Sequence, residues 1–210
     1  MISNILPVLI GTLVGGFITI LGWYANYYFS RRKETEIRKQ EMRIRFLQQQ
    51  IEELYAPLWA LIEQSEIIYG IACKKLPIRD NGRMDREKFT SKDNEIYVFF
   101  NENYFLPINS KITDLIQKKM HLLYNGILPE SFDDFIHHQI MGESLYRLWK
   151  AKNIDSSGVR GKGYPATFKG DVKSTLNQLR QEYLDETTII TKSTNRQRRN
   201  VRNTYMGNVN

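Results

Sequence analysis

The first thirty residues of this chain carry no charged side chain, and that constrains its fold more than anything that follows. Within them Ile5 to Tyr24 reads ILPVLIGTLVGGFITILGWY. At ~1.5 Å per residue, a helix of about twenty such residues covers the ~30 Å hydrocarbon core of a bilayer. Trp23, Tyr24, Tyr27, Tyr28 and Phe29 then supply the amphipathic rings favoured at a membrane–water boundary, and Arg31-Arg32-Lys33 comes next. A cleaved secretory leader needs a basic stretch before its apolar run and a small-x-small site after it. Neither is present. The sequence therefore predicts a retained single-pass anchor. Basic residues stay on the cytoplasmic side, so the N-terminus is expected outside and the rest of the chain in the cytoplasm.

Net charge supports this division. The whole chain carries +7 with a mean hydropathy of −0.46, which by itself suggests a soluble basic protein. The excess is localised. Residues 31–45 hold seven basic and three acidic residues, residues 46–190 are slightly acidic at −2, and residues 191–210 hold five basic residues and no acid. Four segments follow: a transmembrane helix with its aromatic cluster (1–30), a basic juxtamembrane stalk (31–45), a cytosolic helical bundle (46–190) and a basic tail expected to be disordered (191–210). One cysteine, Cys73, leaves no intrachain disulfide framework and fits a reducing compartment.

The span is more ordered than a tether needs. At about 100° per residue, Gly11, Thr12, Gly15, Gly16, Thr19, Gly22 and Asn26 fall within an arc of about 140°. The bulky residues Leu6, Leu9, Ile10, Leu13, Val14, Phe17, Ile18, Ile20 and Leu21 take the other side. Lipid is as apolar as leucine, so contact with lipid alone gives no reason to segregate small from large. Closely spaced glycines let helix backbones approach, and Thr or Asn on that face can bond to a neighbouring helix or face water inside a ring of helices. The face is therefore read as an oligomer contact or pore lining.

Beyond the span, Ile37, Ile44, Leu47, Ile51, Leu54, Leu58, Leu61, Ile68 and Ala72 keep one heptad register, widened towards a bundle face by Tyr55, Ile62 and Tyr69. Pro57 predicts a kink after Leu54. Lys74 to Glu95 reads as a loop around Asp80-Asn81-Gly82. Ile96 to Phe100 is too isolated to be a strand and is read as a helix start. Ile108, Ile112, Leu115, Ile116, Leu122 and Leu123 form a stripe ended by Asn125-Gly126. Pro129 opens a helix with Phe132, Phe135, Ile136, Ile140, Leu145, Leu148 and Trp149 inward, and Pro165 opens another with Phe168, Val172, Leu176, Leu179 and Tyr183 inward. The fold class is all-α.

Groups with chemical potential are sparse. Asp133, Asp134, His137 and His138 make two i, i+4 Asp–His pairs, but the pairs sit about 100° apart on a helix and no H-E-x-x-H or cysteine ligand accompanies them. No metal is assigned. Gly158 to Gly163 lacks the spacing and Lys-Ser/Thr of a phosphate-binding P-loop, though Arg160 and Lys162 in it are positioned to meet an anion. Neither a nucleophile elbow nor a Ser–His–Asp order is present. The chain is read as non-enzymatic and cofactor-free. Arg196, Arg198, Arg199 and Arg202 form the densest basic run, suited to anionic lipid or to nucleic acid.

The span Ile5–Tyr24, its Gly11/Gly15/Gly22 face and the helices from Ile44 onward resemble, in layout, the small membrane effectors of bacterial anti-phage defence systems. Glu53 to Trp59 resembles a segment of bacterial membrane proteins to which no activity attaches. The layout resemblance implies a bacterial inner-membrane location, homo-oligomerisation and perturbation of the bilayer, with the cytosolic domain responding to a ligand or protein partner. Two other expectations stand beside it: a passive anchor that recruits a cytosolic partner, and a membrane-tethered nucleic-acid sensor.

Overall fold

The computed structural model describes the backbone of residues 5–154 and 162–206, and the side-chain surroundings of residues 15–154, 162–189 and 191. Among the described residues the fold is all-helical, and the only β feature is an isolated bridge between Ile78 and Met84. The chain divides into two compact units, one of residues 1–45 with 185–210 and one of residues 46–184.

Helix α1 (Ile5–Gln49) is a single helix of 45 residues. No proline follows Pro7 until Pro57, so nothing in that stretch removes a backbone donor. A π-turn (Gln50–Tyr55) separates it from α2 (Ala56–Cys73). The same device recurs between α3 (Ser91–Phe100) and α4 (Leu106–Lys118), across a π-turn at Asn101–Phe105. Each π-turn ends two residues before a proline, Pro57 or Pro107. A proline ring in an α-helix clashes with the carbonyl four residues back, here Glu53 or Asn103. The wider turn removes that conflict, and the i→i−5 bonds Ala56 N–H to Ile51 O and Leu106 N–H to Asn101 O close it. Where a kink was expected after Leu54, the chain carries a π-turn.

That extra residue also corrects the inward register. The heptad reading placed Ile51 and Leu61 in the seam; both are only half-buried, while Tyr55 and Ile62 are fully buried. At about 100° per residue, Leu47, Gln50, Tyr55, Leu58 and Ile62 would span about 140° of an unbroken α-helix. Counting one residue fewer after the π-turn gathers them within about 80°.

Around this face the core of the second unit assembles. Ile108, Ile112 and Ile116 come from α4, Leu122 and Leu123 from the turn after it, Phe132 and Phe135 from α5 (Glu130–Lys152), and Phe168, Val172, Leu176 and Leu179 from α6 (Phe168–Met206). The Phe168 ring stacks on Phe135 with centroids 4.5 Å apart and meets Phe132 edge-on at 5.1 Å. Asn125 (φ 53°) and Gly126 (φ 68°) both adopt the left-handed conformation that ends the α4 stripe, as the Asn-Gly pair predicts.

Three expectations are corrected. Part of the supposed loop up to Glu95 is helix, because Thr90 and Asp93 close a capping box that starts α3 at Ser91. Ile140, Leu148 and Trp149 are exposed rather than inward. That stretch of α5 instead turns Tyr146 and Lys150 towards the π-turn at Asn101–Phe105, where both meet Glu102. Finally, α6 continues as helix to Met206 where a disordered tail was expected. From Asp171 to Met206 there is neither glycine nor proline to break it.

Candidate functional site

In the N-terminal part of α1, all side chains from Gly15 to Lys39 are exposed, those of Phe17, Ile18, Ile20, Leu21, Trp23 and Tyr24 included. Gly15, Gly16, Thr19, Gly22 and Asn26 lie in this stretch, while the side chains of Gly11 and Thr12 lie outside the described residues. A Cβ added at Gly15, Gly16 or Gly22 would meet nothing within 4 Å. The Thr19 hydroxyl donates to the Gly15 carbonyl at 2.8 Å, so its proton is satisfied inside the helix. Trp23 stacks on Tyr27 (5.9 Å), and Arg31 lies over Tyr27 (5.1 Å) and Arg32 over Tyr28 (5.4 Å), each four residues on. The aromatic cluster and the basic run therefore form continuous columns. Among the described residues, no helix is long and apolar enough to cross a membrane. The side chains of Ile5–Val14, half of the expected span, lie outside those residues. The helix itself is found; the expected span is not.

In the second unit, buried polar contacts hold both ends of the π-turn to the corner after α4. The Gln50 side-chain amide donates to the carbonyls of Leu122 (3.1 Å) and Leu123 (3.4 Å). The Tyr55 hydroxyl accepts from the Tyr124 N–H at 3.0 Å, and burial pushes its pKa up against the lowering effect of that bond. Neither residue was singled out by sequence. Gln50 closes a run of three glutamines whose members cannot be told apart without the π-turn.

The polar residues that sequence did single out are divided. Asp133 meets His137 (3.3 Å) as expected. Asp134 instead pairs with Lys162, and His138 Nδ1 lies 2.9 Å from the Lys162 carbonyl. The hydrogen bond that the Lys162 ammonium donates to Asp134 raises the Lys162 pKa, with further help from Asp133 and Glu130. The lysine expected to meet an external anion is thus held by an internal one. Arg160 lies outside the described residues, as do the side chains of Arg196, Arg198, Arg199 and Arg202. Asp133, Asp134 and His137 offer ligand atoms within 4.8 Å of one another, but the Lys162 ammonium already sits against Asp134. A shallow, largely apolar groove of about 300 Å³ is lined by Gln48, Ile51, Glu52, Arg180, Tyr183 and Leu184, without converging catalytic groups.

No protein-family model, curated protein or solved structure matches this chain.

Proposed function

We propose that this chain is a homo-oligomeric, single-span membrane effector: residues 5–24 cross the inner membrane with the N-terminus outside, and the cytosolic bundle controls a helix contact or pore built on Gly11, Thr12, Gly15, Gly16, Thr19, Gly22 and Asn26. The observation that carries the reading is the exposure of the apolar side chains along α1. Ile20 is 65 % exposed, Phe29 67 % and Trp23 70 %. Leaving a large apolar side chain in water forgoes ~1.5–3 kcal/mol. For Phe17, Ile18, Ile20, Leu21, Trp23, Tyr24 and Phe29 together the loss reaches about 10 kcal/mol, comparable with the whole net stability of a domain. Such a surface needs a cover, and a helix apolar all round finds it in lipid or in other helices. Lipid suits the bulky side, and a second copy suits the side whose glycines leave open space. The internally satisfied Thr19 donor favours a packed contact over a water-lined one.

In this reading the bundle acts through α1. Gln50 and Tyr55 fix the end of that helix to the Leu122–Tyr124 corner, and a ligand or partner that shifts the corner turns the helix. The decisive measurement is the mass of the detergent-solubilised protein by light scattering, with a defined oligomer as the expected result. Gly11→Leu and Gly15→Leu should each dissociate it and abolish membrane depolarisation in cells. Wild-type crosslinking and depolarisation in both variants would sink the proposal.

A further inference from the structure

The shallow groove of the second unit has walls of opposite charge. One wall is the end of α1 and the start of the π-turn, with Gln48, Ile51 and Glu52; the other is α6, with Arg180, Tyr183 and Leu184. All six residues belong to that unit. Ile51 and Tyr183 are half-buried and packed on the core, and Leu184 is 56 % exposed, so the lining between the charges is apolar. Glu52 and Arg180 are both exposed, and among the described residues neither is in an ion pair. The Gln48 side-chain amide donates to the Glu52 carboxylate at 3.0 Å and so holds the acid at the groove.

A groove with an acid on one wall and a base on the other complements itself under one operation. Turned by half a turn about a line running along the groove, a second copy sets its α6 wall opposite this α1 wall. Glu52 then meets the partner's Arg180, and Arg180 meets the partner's Glu52. A groove of only about 300 Å³ keeps its two walls on one level, as that exchange requires. The rotation leaves the helices of both copies pointing the same way, which two chains inserted alike in one bilayer must do. A half-turn about a line across the groove would oppose the helices and set Glu52 against the partner's Glu52, a like-charge contact.

We propose that this groove is a two-fold contact between copies of the chain, closed by Glu52 and Arg180 across the axis. This deepens the homo-oligomeric membrane reading above and rests on it. A stable interface between free proteins buries about 800 Å² per partner, more than six residues supply. Copies already gathered through their small-residue face meet at a high effective concentration, so a small contact suffices. A small molecule is a poorer occupant, because no polar groups converge in the groove.

The test is crosslinking of the full chain in cells with a short bismaleimide, in a Cys73→Ser background. Glu52→Cys and Arg180→Cys chains carry different tags and are produced separately and together. Together they should give a product bearing both tags, at least about fivefold above the self-linked product of either variant alone, since the second contact of the pair keeps its native charges. Adding Arg180→Glu to the Glu52→Cys chain puts two acids at that second contact and should cut the product at least about fivefold. The mass of each solubilised variant is measured alongside. An oligomer without the two-tag product overturns the groove contact and leaves the homo-oligomer standing. Self-linked Glu52→Cys as the main product overturns it too, because like walls then meet. So does a two-tag product that Arg180→Glu leaves intact, or a crosslink to a different protein in its place. A monomeric wild-type mass overturns the homo-oligomer itself, and the groove contact with it.

Discussion

Gln50 is a polar side chain at 3 % exposure, held by two carbonyls from a corner more than seventy residues away in sequence. Gln50→Leu would keep its volume and leave the Leu122 and Leu123 carbonyls without that donor. An unsatisfied buried polar group costs ~1–3 kcal/mol, so the variant should lower stability by that amount in urea unfolding of the solubilised chain. Asp85 offers a pH-dependent counterpart. Burial pushes its carboxyl up, but hydrogen bonds from Arg79 (3.1 Å) and Lys88 (3.4 Å) outweigh this and hold it below the usual aspartate range. A carboxyl depressed in the folded state stabilises above its unfolded pKa of about 3.9 and loses that contribution as pH falls through the lower folded value. Arg79→Met should therefore lower the thermal midpoint at pH 7, and the gap from wild type should close as acid is added. A gap that stays constant down to pH 2 would show that Arg79 acts by packing rather than by charge. Neither residue was legible beforehand. Asp85 sits in a stretch whose charges of both signs read as solvated, and its burial depends on the Asp80-Asn81-Gly82 turn and the Ile78–Met84 bridge folding the loop over it.

The elements themselves were largely written in the sequence. The 4-4-3-4 spacing from Phe168 to Tyr183 faces the core as read, and so do Ile108, Ile112 and Ile116, because apolar residues at helical period have one face to bury. The limit was reached at the prolines. Pro57 announced a disturbance, but a heptad count cannot show that an extra residue enters the turn and carries every later position round by about 100°. This account predicts that the π-turn can be deleted. Removing the exposed Glu52 together with Pro57→Ala should give an ordinary α-helix with Leu47, Tyr55, Leu58 and Ile62 still inward, and stability within about 1 kcal/mol of the parent, since no buried apolar group changes sides. Removing Ala60, which is also exposed, should rotate Ile62 and Ala72 away from Tyr55 and Leu58, at a cost of at least about 3 kcal/mol. Thermal unfolding followed by circular dichroism separates the cases. Equal midpoints for the two deletions would mean that the π-turn does not set the buried face.

For the whole molecule, the contacts divide the chain between Arg45 and Phe46, where the basic run of residues 31–45 ends. At its other end the second unit closes at Leu184, where α6 passes from core residues to the pairing of Glu186 with Arg43. A long-range ion pair between two solvated-looking charges has no periodic signature and could not be read in advance. The division carries a consequence for function. Every residue of the described hydrophobic core, from Leu47 to Leu179, belongs to the second unit. Exchanging residues 1–30 for an unrelated monomeric span therefore removes none of the contacts that hold that unit together. Its unfolding midpoint should stay within about 2 °C of wild type, less than the shift expected from a 1 kcal/mol loss. Oligomer mass and membrane depolarisation should both be lost, because the small-residue face is gone. If depolarisation survives the exchange, the anchor is passive and the activity belongs to whatever the bundle recruits. If instead the midpoint falls, the first thirty residues support the bundle in a way its core does not reveal.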